Sequence, residues 1–309
     1  MLDPATQKEI DKLAWRVLRD AGQDRPPVCV RRISEHLKLH CGFYNLKDPG
    51  FLDHAKYQLR VGKELLIEVV QKAKLVAALF FDERRIVIDD SLPVNKREFP
   101  ESHECTHELL PWHRGYFMGD TAETLEADFQ EQLEAEANFG ASNLMLCGPV
   151  FNAEALDTKP TWGGVEGLIK RYKKSIVITA RRFVERGPAV PMLLMVSTPA
   201  WKAKPADQAE WWRYFVPSPE FHRRFGAVQP RDVLVNVNVN ARPRRGGLVG
   251  EFTMILGDAN GDAHQFEVRS FFNTHYLVTL AVHQKCLSST GIVVPSSYLL
   301  PGNAIGGRR

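Results

Sequence analysis

The hydrophobic pattern of the chain changes from helical to strand-like at about residue 190. Before this point, Pro4–Ala21 and Val30–Leu39 have the apolar spacing of amphipathic helices. Two short apolar runs, Lys74–Phe81 and Arg85–Ile88, are separated by charged residues and predict a pair of strands. Thr121–Met145 is rich in Ala, Leu, Glu and Gln and contains no proline, so this segment predicts a long helix.

Residues 190–309 predict mainly strands. Valine and asparagine alternate in Asp232–Ala241, and this period of two predicts a half-buried strand. Asp258–Asp262 has the composition of a hairpin turn, and Phe271–Ser288 predicts a final helix. The other predicted strands are Pro191–Ser197, Gly250–Leu256 and Gln265–Phe271.

The strongest chemical signal is an H-E-x-x-H motif at residues 103–107. On a helix this spacing places both imidazoles on one face, where they can bind the same zinc ion. Glu104 lies beside the first histidine and can act as a general base towards water. Pro100 favours the start of a helix and Pro111 interrupts it, so the helix is predicted from Pro100 to Leu110.

A catalytic zinc ion needs a third protein ligand, and the sequence leaves three candidates. His113 follows His107 at the metzincin spacing, but Leu110 stands where that pattern needs a glycine to turn the chain. Glu134 and Glu136 lie on the long predicted helix, and a glutamate from a second helix is the third ligand of His₂Glu enzymes. Because these two glutamates are two residues apart on a helix, their side chains point in different directions, and only one of them can reach the metal. We expect that replacing a candidate residue that does not bind the ion leaves the zinc affinity near the wild-type level.

These two segments together resemble the ImmA/IrrE family of bacterial and phage metallo-endopeptidases. In that family the H-E-x-x-H helix is followed by a helix of the form E-x-x-A-N-x-F-A-x-x-L-L-M-P. Residues 134–138 of this chain read E-A-E-A-N, and Ala141, Leu144 and Met145 fall in step. Gly140 stands where the family has phenylalanine.

The resemblance implies a zinc metallo-endopeptidase with a zincin-like domain. In this family His103, His107 and Glu134 would bind Zn²⁺, and Glu104 would be the catalytic base. Glu136→Gln and His113→Ala are then expected to leave zinc binding near the wild-type level. The implied substrate is a transcriptional repressor of helix-turn-helix type, cleaved in a prophage, mobile-element or stress-response switch. An edge strand near Leu75–Phe81 is expected to bind the substrate by strand addition.

We therefore predict an α+β fold with three parts. Residues 1–150 are expected to form the zincin-like metallopeptidase domain, and residues 151–189 a helical bridge. Residues 190–309 are expected to form a β-rich α+β domain that senses a ligand or holds the substrate. A length of 309 residues suits two domains.

The predicted bridge is rich in basic residues, which makes it the candidate for nucleic-acid contact. The arrangement around Ser175, a predicted helix N-cap, resembles the second and third helices of a helix-turn-helix. Apolar residues such as Leu168, Tyr172 and Phe183 favour packing on the core instead, and a net charge of +3 does not indicate nucleic acid. The candidate basic residues within 164–186 are Lys170, Arg171, Lys173, Lys174, Arg181 and Arg182.

The cysteines and the absence of long apolar stretches indicate the cellular compartment of the protein. Five scattered cysteines without a C-x-x-C pair are typical of a reducing cytoplasm. No apolar stretch reaches membrane-spanning length and no signal peptide is recognisable, so we expect a cytoplasmic protein without membrane contact. Another class of function stays open: a non-catalytic sensor or interaction protein that keeps zinc for structure, or a toxin–antitoxin component.

Overall fold

The structure is a computed structural model, and it describes residues 2–44, 77–118, 127–202 and 211–287. Helices and strands are mixed and the strands form two sheets, so the coarse prediction of an α+β protein is confirmed. The chain divides into two compact units, Met1–Ala189 and Val190–Arg309. The predicted helical bridge, residues 151–189, lies inside the first unit.

The first unit combines helices with a small sheet. Its helices in the described residues are α1 (Pro4–Asp20), α2 (Val30–His36), α3 (Glu98–Leu109), α4 (Pro111–Met118), α5 (Ala127–Met145), α6 (Gly148–Asp157), α7 (Trp162–Tyr172) and α8 (Ile176–Arg186). Its strands are β1 (His40–Tyr44), β2 (Ala77–Phe80) and β3 (Arg85–Asp89). Strand β3 lies in the middle, parallel to β1 and antiparallel to β2.

The predicted pair of strands is present where the structure describes it. Strand β3 begins at Arg85 as predicted, and its apolar residues 86–88 are buried. Strand β2 covers the end of the predicted strand Lys74–Phe81, of which residues 74–76 lie outside the described residues. Strand β1 was missed, because its five residues contain little apolar sequence beyond Phe43.

Helix α3 carries the H-E-x-x-H motif and contacts β2, β3, α2 and α5. It begins at Glu98, two residues earlier than predicted, and Pro100 lies in its first turn. At its other end Leu110 is fully buried in an extended conformation, and α4 begins at Pro111. The motif is therefore held between a sheet and a second helix.

Helices α7 and α8 are joined by residues 173–175. The Ser175 side chain accepts a hydrogen bond from the backbone N–H of Ile178, so the predicted N-cap is confirmed. The apolar residues that were expected to dock this region are buried: Leu168, Tyr172 and Phe183.

Several of the basic candidates in this region make ion pairs or hydrogen bonds inside the first unit. Lys174 is buried and pairs with Glu98 at the start of α3. Arg182 is 1% exposed and donates to Asn143. Ion pairs of this group also join Arg171 to Glu154, Arg181 to Glu185, and Arg182 to Asp11 and Glu185. Lys174 and Arg182 are therefore not available for phosphate contact in this conformation.

The second unit is built on an antiparallel sheet in the order β5-β4-β8-β7-β6. Its strands are β4 (Met192–Ser197), β5 (Trp212–Pro217), β6 (Gly247–Gly257), β7 (Ala263–Phe272) and β8 (Leu277–Cys286), and its helices are α9 (Pro219–Phe225) and α10 (Pro230–Asn240). The turn Asp258–Asp262 joins β6 to β7, so the predicted hairpin is confirmed. Throughout the described residues, the helices are too short or too polar to cross a membrane.

The predicted strand Asp232–Ala241 is wrong, because these residues belong to helix α10. Pro230 occupies the first turn, where its fixed φ suits a helix. The Asp232 carboxylate accepts a hydrogen bond from the backbone N–H of Gln229 at 3.4 Å, which caps the start. An alternating apolar pattern also contains pairs four residues apart, so it fits one face of a helix once these start signals act.

The predicted final helix Phe271–Ser288 is also wrong, because residues 277–286 form β8. Strand β8 is paired with β4 on one side and β7 on the other, and residues 277–282 are all buried. A strand that is buried on both faces has no polar alternation, so its apolar run cannot be told from a buried helix by periodicity.

Substituting Val237 or Val239 by asparagine distinguishes the helix from the predicted strand. On a strand both side chains would lie on one face and respond alike. In α10, Val237 is fully buried, whereas Val239 is 72% exposed. We expect Val237→Asn to lower the free energy of unfolding by about 2 kcal/mol or more, and Val239→Asn to change it by less than about 0.5 kcal/mol. Chemical denaturation measures both, and equal losses would contradict the helix.

Candidate metal centre

Helices α3 and α5 pack closely where Gly140 faces Thr106. A Cβ atom at position 140 would lie 2.3 Å from Thr106 Cγ2 and 3.3 Å from Ile10 Cγ2, so a larger residue would require the Thr106 side chain or the helix to shift. Next to this contact, Ser102 Oγ donates to the carbonyl oxygen of Ala141 at 3.1 Å. The glycine that departs from the family pattern therefore lets α5 approach the motif helix.

This packing brings three of the predicted ligand side chains together. The Nε2 atoms of His103 and His107 are 3.1 Å apart. Glu134 places Oε2 3.2 Å from His103 Nε2 and Oε1 3.6 Å from His107 Nε2. Within the described residues, this is the one group of three His, Cys, Asp or Glu side chains suited to share an ion, with ligand atoms within 4.8 Å of one another.

The distances in this cluster fit a zinc ion. Zinc binds imidazole nitrogen and carboxylate oxygen at about 2.0–2.2 Å, and tetrahedral geometry then separates neighbouring ligand atoms by about 3.3–3.6 Å. The nitrogen–nitrogen separation is 3.1 Å, and the nitrogen–oxygen separations are 3.2 and 3.6 Å, each to a different oxygen of Glu134. With one atom from each side chain, the ligand atoms lie within 4.8 Å of one another, so a small adjustment of Glu134 would complete the tetrahedral spacing. Two imidazoles and one carboxylate are also a donor set of catalytic zinc sites. The residues therefore suit zinc, and the ion itself stays a prediction.

The three side chains alter one another's pKa values. Hydrogen bonds from His103 and His107 hold the pKa of Glu134 well below its usual range. Burial lowers the pKa of His103, but its hydrogen bond with Glu134 and the charge of Glu104 outweigh burial and raise this pKa overall. The cluster therefore contains an ionised carboxylate facing two imidazoles, which is an attractive environment for a cation.

Glu104 is buried beside the cluster, with 8% of its surface exposed. Burial raises the pKa of its carboxyl group, and the charges of His107 and His103 oppose that rise in part. A carboxylate with a raised pKa is a stronger base and holds a proton more readily at neutral pH. This environment suits the predicted role of a general base.

His113 and Glu136, the other candidates for the third ligand, lie behind His107 and outside the cluster. His113 Nδ1 is 2.8 Å from Nδ1 of His107, the ring nitrogen that does not face Glu134. His113 Nε2 is 3.0 Å from Glu136 Oε2. Both side chains are buried, and burial lowers the pKa of His113 to about 4. The structure groups Glu134, rather than these two, with the histidine pair.

Three partners of the site were missed in the sequence. Asn138 of α5 makes a side-chain hydrogen bond with His103. Trp112 Nε1 donates to Glu136 Oε2 at 2.6 Å, and Gln132 Nε2 donates to Glu136 Oε1 at 2.9 Å. The four-residue spacing of Gln132 and Glu136 was visible in the sequence, whereas the contact of Trp112 depends on the turn into α4.

The chain was compared with known proteins. No protein-family model and no curated protein matches the sequence. Among solved structures, the chain is similar to a Mycobacterium tuberculosis transcriptional regulator, with 12% sequence identity, 93% of each chain covered and a TM-score of 0.48. A similarity this low says nothing about function.

Alanine at either motif histidine tests whether the cluster binds metal. We expect the purified protein to bind about one zinc ion per chain, and His103→Ala and His107→Ala to lose it. The first unit should also become less stable, because the binding free energy of the ion adds to folding. Elemental analysis and thermal unfolding measure the two effects. Unchanged metal content in both variants would disprove the site.

Glutamine at position 134 tests the third ligand. Glu134→Gln removes the negative charge while keeping the shape of the side chain, and we expect it to weaken zinc binding strongly. Glu131→Gln is the matched control, because Glu131 is an exposed residue one turn earlier on the same helix. Competition with a coloured chelator measures both affinities. Equal affinities in the two variants would exclude Glu134 as a ligand.

Proposed function

We propose that this protein is a zinc-dependent endopeptidase with a zincin-like first unit. The observation that carries the proposal is the convergence of His103, His107 and Glu134, with Glu104 buried beside them. Two helical histidines with a glutamate between them and a third ligand from another helix are the arrangement of His₂Glu zinc hydrolases. The family resemblance of the same residues supports the same class.

The chemistry of the proposed reaction needs an acid–base group and an electrophilic centre. A bound zinc ion supplies Lewis-acid chemistry by making water more acidic and by polarising a carbonyl group. Glu104 accepts the proton of the attacking water and returns it to the leaving amine. The imidazoles of His103 and His107 hold the ion in place, and Glu134 offsets part of its charge.

The small number of ligands favours catalysis over a purely structural role. Structural zinc sites are closed by four protein ligands, whereas catalytic sites have three and leave one position open. In the described parts of the chain, three side chains converge on the cluster. A buried carboxylate such as Glu104 costs desolvation free energy, and a structural site gains nothing from it.

The sheet next to the motif helix offers a place for an extended substrate. Helix α3 contacts strand β2, and β2 lies at the edge of the described sheet in the order β1-β3-β2. A peptide could pair with such an edge by strand addition, as predicted for the region near Leu75–Phe81. Of that region, residues 75 and 76 lie outside the described residues.

The substrate that we propose is a helix-turn-helix repressor, which rests on the resemblance alone. Nucleic-acid binding by 164–186 is not part of the proposal, because Lys174 and Arg182 are buried and Arg171 is paired with Glu154. A cytoplasmic location would suit a repressor as substrate.

Glutamine at position 104 tests whether the site is catalytic. Because Glu104 is not a proposed ligand, Glu104→Gln should keep both zinc and the fold. It removes the base, and a positioned base contributes about a hundredfold to ten-thousandfold in rate. We expect a co-expressed helix-turn-helix repressor of the proposed substrate class to be cut by the wild type and to stay intact, in a stable complex, with Glu104→Gln. Mass spectrometry of the repressor measures the cut.

The control is the same substitution one turn further along α3. Glu108 pairs with Arg84 at 2.9 Å and belongs to no cluster with the histidines, so Glu108→Gln should retain cleavage. A protein that keeps zinc only for structure gives another result. Its cellular effect would be unchanged in Glu104→Gln and would disappear only when a ligand is lost, which would contradict the proposed enzyme.

A further inference from the structure

A series of buried polar side chains leads from the cluster of His103, His107 and Glu134 into the interior of the first unit. Its links are the contact of His107 Nδ1 with His113 Nδ1 at 2.8 Å and that of His113 Nε2 with Glu136 Oε2 at 3.0 Å. His113 is fully buried and Glu136 is 2% exposed. Burying a polar side chain costs desolvation free energy unless the group is hydrogen-bonded, so buried polar side chains indicate a structural or functional role.

The positions of the hydrogen atoms on these side chains follow from the hydrogen bonds of Glu136, which stands at the end of the series. Glu136 receives the indole N–H of Trp112 at 2.6 Å and the amide of Gln132 at 2.9 Å. An indole N–H can only donate, and an ionised carboxylate can only accept. With Glu136 as a carboxylate that accepts at all three contacts, His113 carries its hydrogen on Nε2.

The same reasoning continues to the metal ligand. A neutral imidazole with hydrogen on Nε2 has a lone pair on Nδ1, so His113 Nδ1 accepts. Its partner His107 must then carry hydrogen on Nδ1, and in the neutral imidazole that a metal ion binds this leaves the lone pair of His107 on Nε2. That nitrogen is the one that faces His103 and Glu134. The opposite arrangement would put a hydrogen where the ion must bind.

We infer that His113 and Glu136 are positioning residues that hold His107 in its metal-binding tautomer and orientation. The inference rests on the proposed metal site and extends it to side chains that bind no metal themselves. Imidazole ligands of metals commonly donate their second N–H to a carboxylate or carbonyl group. Here a second imidazole stands between His107 and the carboxylate.

The end of helix α3 explains why His113 takes this place. Leu110 is buried and extended, so α3 stops and α4 begins at once with Pro111. The chain therefore returns past the Nδ1 side of His107 rather than the Nε2 side. Leu110, which replaces the glycine of the metzincin pattern, is therefore consistent with a His113 that supports the ligand His107 and does not bind the metal itself. The expectation that His113 and Glu136 are dispensable for zinc binding changes accordingly.

Two substitutions of His113 separate hydrogen bonding from packing. His113→Leu has a similar volume but no polar atom, and His113→Gln keeps one acceptor and one donor on its amide. We expect His113→Leu to weaken zinc binding about 10–100-fold, and His113→Gln to restore much of that loss. Titration with zinc alone, in competition with a chelator, measures the affinities. His36→Leu is the control, because it removes an exposed imidazole outside the cluster.

Nitrogen-15 spectra of the histidine side chains read the tautomers directly and do not depend on the variants folding. In the zinc-loaded wild type we expect hydrogen on Nδ1 of His107 and on Nε2 of His113. Hydrogen on Nδ1 of His113 would overturn the inference, as would equal zinc affinity in His113→Leu and the wild type. If the wild type itself binds no zinc, the proposed function fails instead, so the two failures are distinguishable.

Discussion

The close contact of helices α3 and α5 is the constraint on which the candidate site depends. The two histidines of the motif come from one helix, so their spacing needs only regular helical geometry. The third side chain comes from α5, and its position depends on how near that helix can approach. Gly140 permits the approach, because a Cβ atom there would lie 2.3 Å from Thr106 Cγ2. A residue that binds nothing thus contributes to the close packing of the helix that carries Glu134.

Three glutamates near the site differ in burial and in hydrogen-bond partners, and these differences correspond to different proposed roles. Glu134 is exposed and faces both imidazoles, which keep it ionised. Glu104 is buried, and burial raises its pKa, as suits a base. Glu136 is buried too, but it accepts hydrogen bonds from Trp112 and Gln132 and makes a third with His113. Residue type alone would not distinguish these three carboxylates; burial and hydrogen-bond donors do.

The sequence was most informative where the signal is local. The motif helix, the start of β3 and the Ser175 cap depend on neighbouring residues, and the structure contains all three. The failure at Phe271–Ser288 has a tertiary cause, because burial on both faces hides the period of a strand. The failure at Asp232–Ala241 is local, because Pro230 and the Asp232 cap start a helix despite the alternating pattern. The chain from His107 through its buried partners was also beyond sequence reasoning, since it joins side chains on three helices.

The central claim is that two imidazole nitrogens and one carboxylate oxygen hold an ion in the first unit. X-ray absorption at the zinc edge of the purified protein tests this coordination most directly. The account predicts two nitrogen ligands at about 2.0–2.1 Å and oxygen ligands at about 2.0–2.2 Å, with no sulfur. A shell with three imidazoles would place a third histidine on the metal instead of Glu134, and a shell with sulfur at about 2.3 Å would place a cysteine there. Either result would contradict the account.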